Sequence, residues 1–235
     1  MLTYLFMQAR RRLSSEERRE AIVGAVQEVF ARNGFDGTTT RALARAAGVS
    51  EALLYKHFPS KESLFAAMLD ACAQGPAFTE FTRILGLKAS TATLVAMVHF
   101  TISYYVSHCS EDAREQAMQA LLVRSLLEDG EFVRLTHKKF ATGWIRQFVA
   151  CLKQAAVDGD LRDIPIRRDL RVWFVHHIAF SLMLYLHPKV PAIDYRASRQ
   201  ALVEQATRFA LLGTGLTESA IRRYYTAKAR SLVAE

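Results

Sequence analysis

The sequence predicts an all-α protein, an N-terminal three-helix helix-turn-helix module followed by a larger helical domain. Three observations carry that prediction. Apolar residues recur at three- and four-residue intervals along most of the 235-residue chain, which gathers them on single helix faces. No stretch alternates apolar and polar residues as a half-buried strand would. Capping residues and Gly or Pro breaks fall at helix-length separations. Hydrophobic residues make up 51% of the chain and only five residues are proline, so compact folding is expected over long disordered stretches.

Ser14-Ser15-Glu16-Glu17 has the capping-box pattern, and Ile22, Ala25, Val26, Val29 and Phe30 follow at helical spacing. Asn33-Gly34-Phe35 closes that helix, with Gly34 expected in the left-handed conformation and Phe35 folded back on Phe30. Thr38-Thr39-Thr40 supplies hydroxyl caps for a second helix over 41–47. Gly48 and Ser50 then turn the chain and cap a third over 51–58. Pro59 and Ser60 start a fourth, which carries Leu64, Phe65, Met68 and Leu69. Gly75-Pro76 is the expected seam, dividing the chain into an arm over 1–13, the helix-turn-helix module over 14–74 and a C-terminal domain over 75–235. Beyond the seam the spacing predicts helices over 91–108, 112–127, 130–157, 167–186 and 196–212, and a charged one over 217–232. The breaks between them fall at Asp129-Gly130, Asp158-Gly159, His187-Pro188 through Pro191, and Gly213.

The formal net charge of +8 favours an anionic partner, which nucleic acid, acidic lipid or an anionic ligand would each satisfy. Cys72, Cys109 and Cys151 are odd in number and set in apolar helical sequence, as reduced core thiols of a cytoplasmic protein would be. The opening MLTYLFMQARRR puts apolar residues before basic ones, the reverse of a secretory signal, and its apolar run is too short to span a bilayer. No export and no membrane partner are expected, and either Met1 or Met7 serves as a start.

The stretch from Thr38 to Phe65 meets the physical requirements of a helix-turn-helix. Ala44, Ala47 and Ala52 are small enough to let two helices cross closely, and Leu43, Val49, Leu54 and Phe58 attach the pair to the first helix. Thr40, Arg41, Ser50, Glu51, Tyr55, Lys56, His57 and Lys61 remain as an outward set able to meet phosphates or base edges. Any one of these charges would ordinarily be a solvated surface group; their fixed separations around a Thr cap and a Gly turn point to a duplex.

Thr39-Thr40, Ala47-Gly48-Val49-Ser50, Leu54-Tyr55-Lys56-His57-Phe58 and Ser60-Lys61-Glu62-Ser63-Leu64 closely resemble the signature of the tetracycline-repressor (TetR) family. The signature covers about a quarter of the chain without gaps; the remainder is similar in length and helical pattern, including the Gly-Asp-Leu-Arg turn at 159–162. The resemblance implies that Thr40, Tyr55, His57 and Lys61 hold phosphates, with Lys61 at a helix N-terminus. It implies that Arg41, Ser50, Glu51 and Lys56 face base edges in the major groove. Leu53 stands where the family often has a small hydroxyl residue, so a contact with a thymine methyl is expected there. Ala52 stands where Gly or Pro is frequent, and Glu51 requires a donor, since an unpaired carboxylate is repelled by phosphate.

The helix over 167–186 is apolar nearly all round and demands cover on every side. The resemblance implies that a second subunit supplies part of it, in a homodimer formed through helices near 167–186 and 196–212, with Leu202, Ala206, Phe209 and Ala210 contributing. Such a dimer addresses the two half-sites of a palindromic operator in double-stranded DNA. His99, Phe100, Tyr104, Phe140, Trp144, Trp173, His176, His177 and Met183 lie on or near apolar faces, either as plain core or as the lining of a pocket for a small lipophilic effector. No His pair has i, i+4 spacing, and His176 and His177 point to different helix faces, so no metal is expected. No cofactor is expected either. Among function classes, an enzyme finds no support, because there is no nucleophile elbow, phosphate-cradling glycine loop or paired-His motif. A ligand-independent architectural DNA binder stays open and predicts a solid core. The family resemblance implies a ligand-responsive repressor, in which effector binding shifts the linking helix near 60–73.

Overall fold

Ser14 starts the first helix, α1 (Ser15–Asn33), with a complete capping box. Its side chain accepts from the Glu17 amide, and the Glu17 carboxylate accepts from the Ser14 amide at 2.8 Å. The computed structural model describes residues 13–72, 76–107, 113–128, 130–188 and 190–226. Helix α1 ends at Gly34, whose φ of 72° and ψ of −179° differ from the expected left-handed helical stop. Only glycine enters that region readily, and a Cβ there would also run into the Glu128 carboxylate. Phe35 does fold back, its ring stacked 6.1 Å from that of Phe30.

Thr39 caps α2 (Thr40–Ala46) by accepting from the Ala42 amide, and Ser50 caps α3 (Glu51–His57) by accepting from the Leu53 amide. Gly48, at φ 64°, makes the turn between them. Ser60 and Ser63 exchange hydrogen bonds where α4 (Lys61–Cys72) begins. Ile22, Phe30, Leu43, Leu54, Phe58 and Phe65 are buried together and hold the four helices in one cluster. Ala44 is buried at the crossing of α2 with α3, but Ala52 is exposed and does not take the close-approach role expected of it.

The next helix, α5 (Pro76–Leu85), lies where the sequence reading placed only a seam. Pro76 opens it, a position proline tolerates because the first helical amide has no intrahelical partner. The following helices are α6 (Thr91–Ser107), α7 (Ala113–Leu127), α8 (Glu131–Val157), α9 (Arg168–Leu186), α10 (Arg199–Gly213) and α11 (Glu218–Tyr224). Helix α10 starts later than expected because Arg196 takes a positive φ of 50°, leaving Ser198 to cap the helix through the Ala201 amide. Helix α11 ends at Tyr224, and the part of the expected 217–232 helix beyond 226 lies outside the described residues. Cys109 and the side chain of Cys72 also lie outside them. Cys151 is fully buried, and burial raises its thiol pKa.

Helix α6 is the axis of the C-terminal domain. Leu94, Met97, Val98 and Ile102 are fully buried in a cluster shared with Phe148, Leu152, Val175, Ala179 and Leu211 of α8, α9 and α10. The turn at 159–162 closes this core from one end. Buried Asp160 accepts from the Thr91 hydroxyl at 2.8 Å, and the Arg162 amide bonds the Gly215 carbonyl. The N-terminal module is not self-contained across the expected 74/75 boundary. Its cluster includes Leu121 of α7 and Phe132 of α8, and the Phe132 ring meets that of Phe65 at 4.6 Å. No strand occurs among the described residues, and none of their helices is long and apolar enough to cross a membrane.

Candidate nucleic-acid interface and apolar cavity

Helices α2 and α3 present one outward polar face. Arg41, Ser50, Glu51 and Lys56 are exposed, Tyr55 is 46% exposed, and Thr40, Leu53 and His57 are half-buried. The Thr40 hydroxyl donates to the Glu51 carboxylate at 3.2 Å, so Glu51 has a donor within the protein and ties α3 to the start of α2. Ser50 spends its hydroxyl as an acceptor for the Leu53 amide.

Two cations brace this face from behind. Arg19 of α1 donates to the His57 carbonyl at 3.0 Å, and its guanidinium lies 4.3 Å above the Phe58 ring, fixing the C-terminus of α3. Lys61, expected on a phosphate, instead turns its ammonium inward. It donates to the carbonyls of Phe35 and Thr38 at 2.6 and 3.3 Å and lies 4.1 Å from the Phe35 ring centroid. The physical reason is that the α1–α2 turn leaves those carbonyls without helical partners within reach of a long cationic side chain. The Lys61 contact was invisible in sequence because it spans 26 residues. Arg19 carried no signal beyond being one basic residue on α1.

A cavity of about 220 Å³ lies between α4 of the N-terminal module and α5, α6, α7, α8 and α9 of the C-terminal domain. Of the residues expected to line a pocket, Phe100, Tyr104, Phe140, Trp144, Trp173 and His176 do so. His99, His177 and Met183 do not, and each has a physical reason. His99 is buried on the opposite side of α6, its Nδ1 between the Thr207 and Tyr225 hydroxyls at 3.4 and 3.2 Å, where it ties α6 to α10 and the end of α11. Met183 is fully buried, and His177 is exposed against the Trp173 ring. The sequence reading missed Phe78 and Phe81, which come from the unforeseen α5, together with Tyr105 and His137. Their i, i+3 and adjacent placements were the available signals.

The walls are aromatic and uncharged. Phe81 and Trp144 stack at 4.8 Å, and none of the described lining residues is Asp, Glu, Lys or Arg. The Tyr105 hydroxyl and His176 Nε2 are 3.0 Å apart. Burial holds Tyr105 well above the usual phenol range and pushes His176 down to about 4, with His137 and His177 adding to the latter effect. Burial lowers His137 as well. These imidazoles are therefore neutral at physiological pH. Among the described residues no group of three or more His, Cys, Asp or Glu side chains could hold a metal ion.

Cavity and nucleic-acid face share structure. Leu69 of α4, Met118 and Leu122 of α7 and Phe140 of α8 line the cavity and also belong to, or pack against, the N-terminal cluster. Lys139 of α8 pairs with Asp70 of α4 close by. Arg124 of α7 donates to the Arg32 carbonyl at the end of α1.

Residues 22–68 match the family profile described as bacterial regulatory proteins, tetR family. The HTH-type transcriptional regulator SrpR of Pseudomonas putida is 32% identical over 161 residues, 67% of this chain and 68% of that protein. The nucleoid occlusion factor SlmA of Marinomonas sp. (strain MWYL1) is 33% identical over 82 residues, 35% of this chain and only 41% of that protein. In three dimensions the chain is similar to the transcriptional regulator FadR from Bacillus subtilis in complex with stearoyl-CoA. The TM-score is 0.56 at 16% identity, over 83% of this chain and 98% of that one. Profile, SrpR similarity and shared fold agree with the geometry of α1 to α4: the chain belongs to the tetR family of bacterial regulatory proteins.

Proposed function

We propose that this DNA-binding transcriptional regulator works as a homodimeric repressor that releases its operator when a small lipophilic molecule fills the cavity. The observation that carries the reading is the shared wall. A molecule that moves Leu69, Met118, Leu122 or Phe140 moves residues that also support α1 and α4, so filling the cavity and holding the duplex are linked through one packed network. The FadR structure holds an acyl-CoA in the same fold, which supports a ligand-taking role for this domain.

Within the module, Tyr55 and His57 hold phosphates, and Thr40 does so once its hydroxyl turns from Glu51 to the duplex, while Arg41, Ser50, Glu51, Leu53 and Lys56 face bases; Lys61 and Arg19 position the helices that carry them. Exposed apolar side chains on α9 and α10 support the dimer. Phe174 is 50% exposed, Tyr185 46% and Phe209 67%, large apolar side chains that the matching helices of a second subunit would cover. A twofold pair of α3 helices then reaches half-sites about one helical turn apart.

The test is a titration of apolar compounds into a complex of the full-length protein with a genomic operator fragment. Both tryptophans of the chain, Trp144 and Trp173, line the cavity, so intrinsic fluorescence reports filling while fluorescence anisotropy of the labelled DNA reports release. Parallel changes in both signals support the reading. Cavity filling with the DNA still held contradicts it. A hundredfold response at saturation requires about 3 kcal/mol of differential affinity.

A further inference from the structure

The cavity proposed above as the effector site has two kinds of wall. One is purely apolar: Phe81 and Trp144 stack with planes 14° apart, and Phe140 meets Phe81 nearly edge-on at 85°. The other is a polar pole made by His137, His176 and Tyr105 beside Trp173. Among the described residues the ring nitrogens of His137 have no hydrogen-bond partner, and its ring lies against those of Trp173 and His176. His176 Nε2 faces the Tyr105 hydroxyl, but its Nδ1 is buried without a partner.

Size and charge narrow the ligand. A cavity of about 150 Å³ accepts benzene, so about 220 Å³ suits a molecule of one or two fused rings. With no Asp, Glu, Lys or Arg among the described lining residues, a carboxylate or an ammonium would enter without a counter-charge. A neutral imidazole offers one donor and one acceptor nitrogen. A hydroxyl can answer either one, whereas a ketone can only accept and an ammonium can only donate.

We propose that the cavity takes an uncharged phenol-class molecule of one or two rings, with its ring plane among Phe81, Phe140 and Trp144 and its hydroxyl on His137, beside the Tyr105–His176 pair. This rests on the effector-site reading and assigns the chemical class of the effector. The hydroxyl gives the site a selectivity that apolar burial alone does not, because an isosteric methyl leaves the imidazole unpaired.

The test is calorimetry on the full-length protein with three matched probes: 2-naphthol, its isostere 2-methylnaphthalene, and the anion 2-naphthoate. The expected result is 2-naphthol binding about five- to tenfold tighter than 2-methylnaphthalene, the return of one hydrogen bond, with 2-naphthoate weakest. In His137→Phe the preference for the hydroxyl disappears while 2-methylnaphthalene binding persists. In His137→Asn, which keeps hydrogen-bonding atoms, part of the preference returns. Equal affinity for naphthol and methylnaphthalene, tightest binding of naphthoate, or an unchanged preference in His137→Phe overturns the assignment and leaves an apolar effector site standing. Failure of all three probes to bind overturns both the assignment and the effector-site reading.

Discussion

Lys61→Met removes an ammonium that sits on two carbonyls and an aromatic ring while keeping a stem of similar length. The bond to the Phe35 carbonyl is short, at 2.6 Å, and that to Thr38 is long, at 3.3 Å, with the Phe35 ring 4.1 Å away. Charge-assisted hydrogen bonds contribute about 1.5–3 kcal/mol when buried and less at a half-exposed site such as this. A surface cation–π contact adds roughly 0.5–1 kcal/mol. With the long bond counted as minor, the sum is about 2 kcal/mol, a fall in Tm of about 4–8 °C for a chain of this size. Thermal unfolding by circular dichroism reads that directly. DNA binding supplies the second readout, since each lost phosphate contact lowers the slope of log affinity against log salt by about 0.9. Lys61→Met changes it by less than about half as much. An unchanged Tm together with a full unit of slope lost in Lys61→Met would place the ammonium on a phosphate and refute the reasoning.

Arg41→Ala relaxes discrimination at one operator position, costing about 1–3 kcal/mol against the preferred base and little elsewhere, as a competition series of single-base operator variants measures; a uniform loss on every variant contradicts the base-reading role. Acidification destabilises the fold through His176. Its pKa is about 4 when folded, against about 6.5 in an unfolded chain, so the unfolded state binds more protons between those values and stability falls as pH drops through that window. The loss approaches the order of 3 kcal/mol, is read from urea midpoints across the window, and is smaller in His176→Phe; identical losses in the two proteins contradict it. Phe209→Asp puts a carboxylate at a side chain that is 67% exposed on one chain and buried in the proposed dimer, so sedimentation shifts from dimer to monomer while far-ultraviolet ellipticity is retained; an unshifted dimer moves the interface elsewhere.

The N-terminal module was legible because its determinants are local. Ser14, Thr39 and Ser50 each cap the helix that follows, and Gly48 makes the one turn that fixes α2 against α3. Local rules fail where the decisive partner is distant. Gly34 avoids the ordinary left-handed stop and lies against Arg124 and Glu128, ninety or more residues away in sequence. Lys61 is turned inward by carbonyls that the sequence does not place beside it. The cavity shows the same limit. Periodicity marks His99 and His176 alike as apolar-face residues, yet only packing reveals that His99 faces α10 and α11 while His176 faces the cavity. Helix α5 was hidden for a different reason: Gly75-Pro76 reads as a break, and proline at a helix start reads the same way.

Selection of genomic DNA by the purified full-length protein, followed by footprinting of the enriched fragments, tests most directly whether the face of α2 and α3 grips a duplex. The expected result is an inverted repeat with half-sites about 10 base pairs apart, protected by the native protein and left unprotected when Tyr55 and Lys56 are both replaced by Ala. Enrichment of no sequence over bulk DNA, or a footprint indifferent to that double substitution, would contradict it.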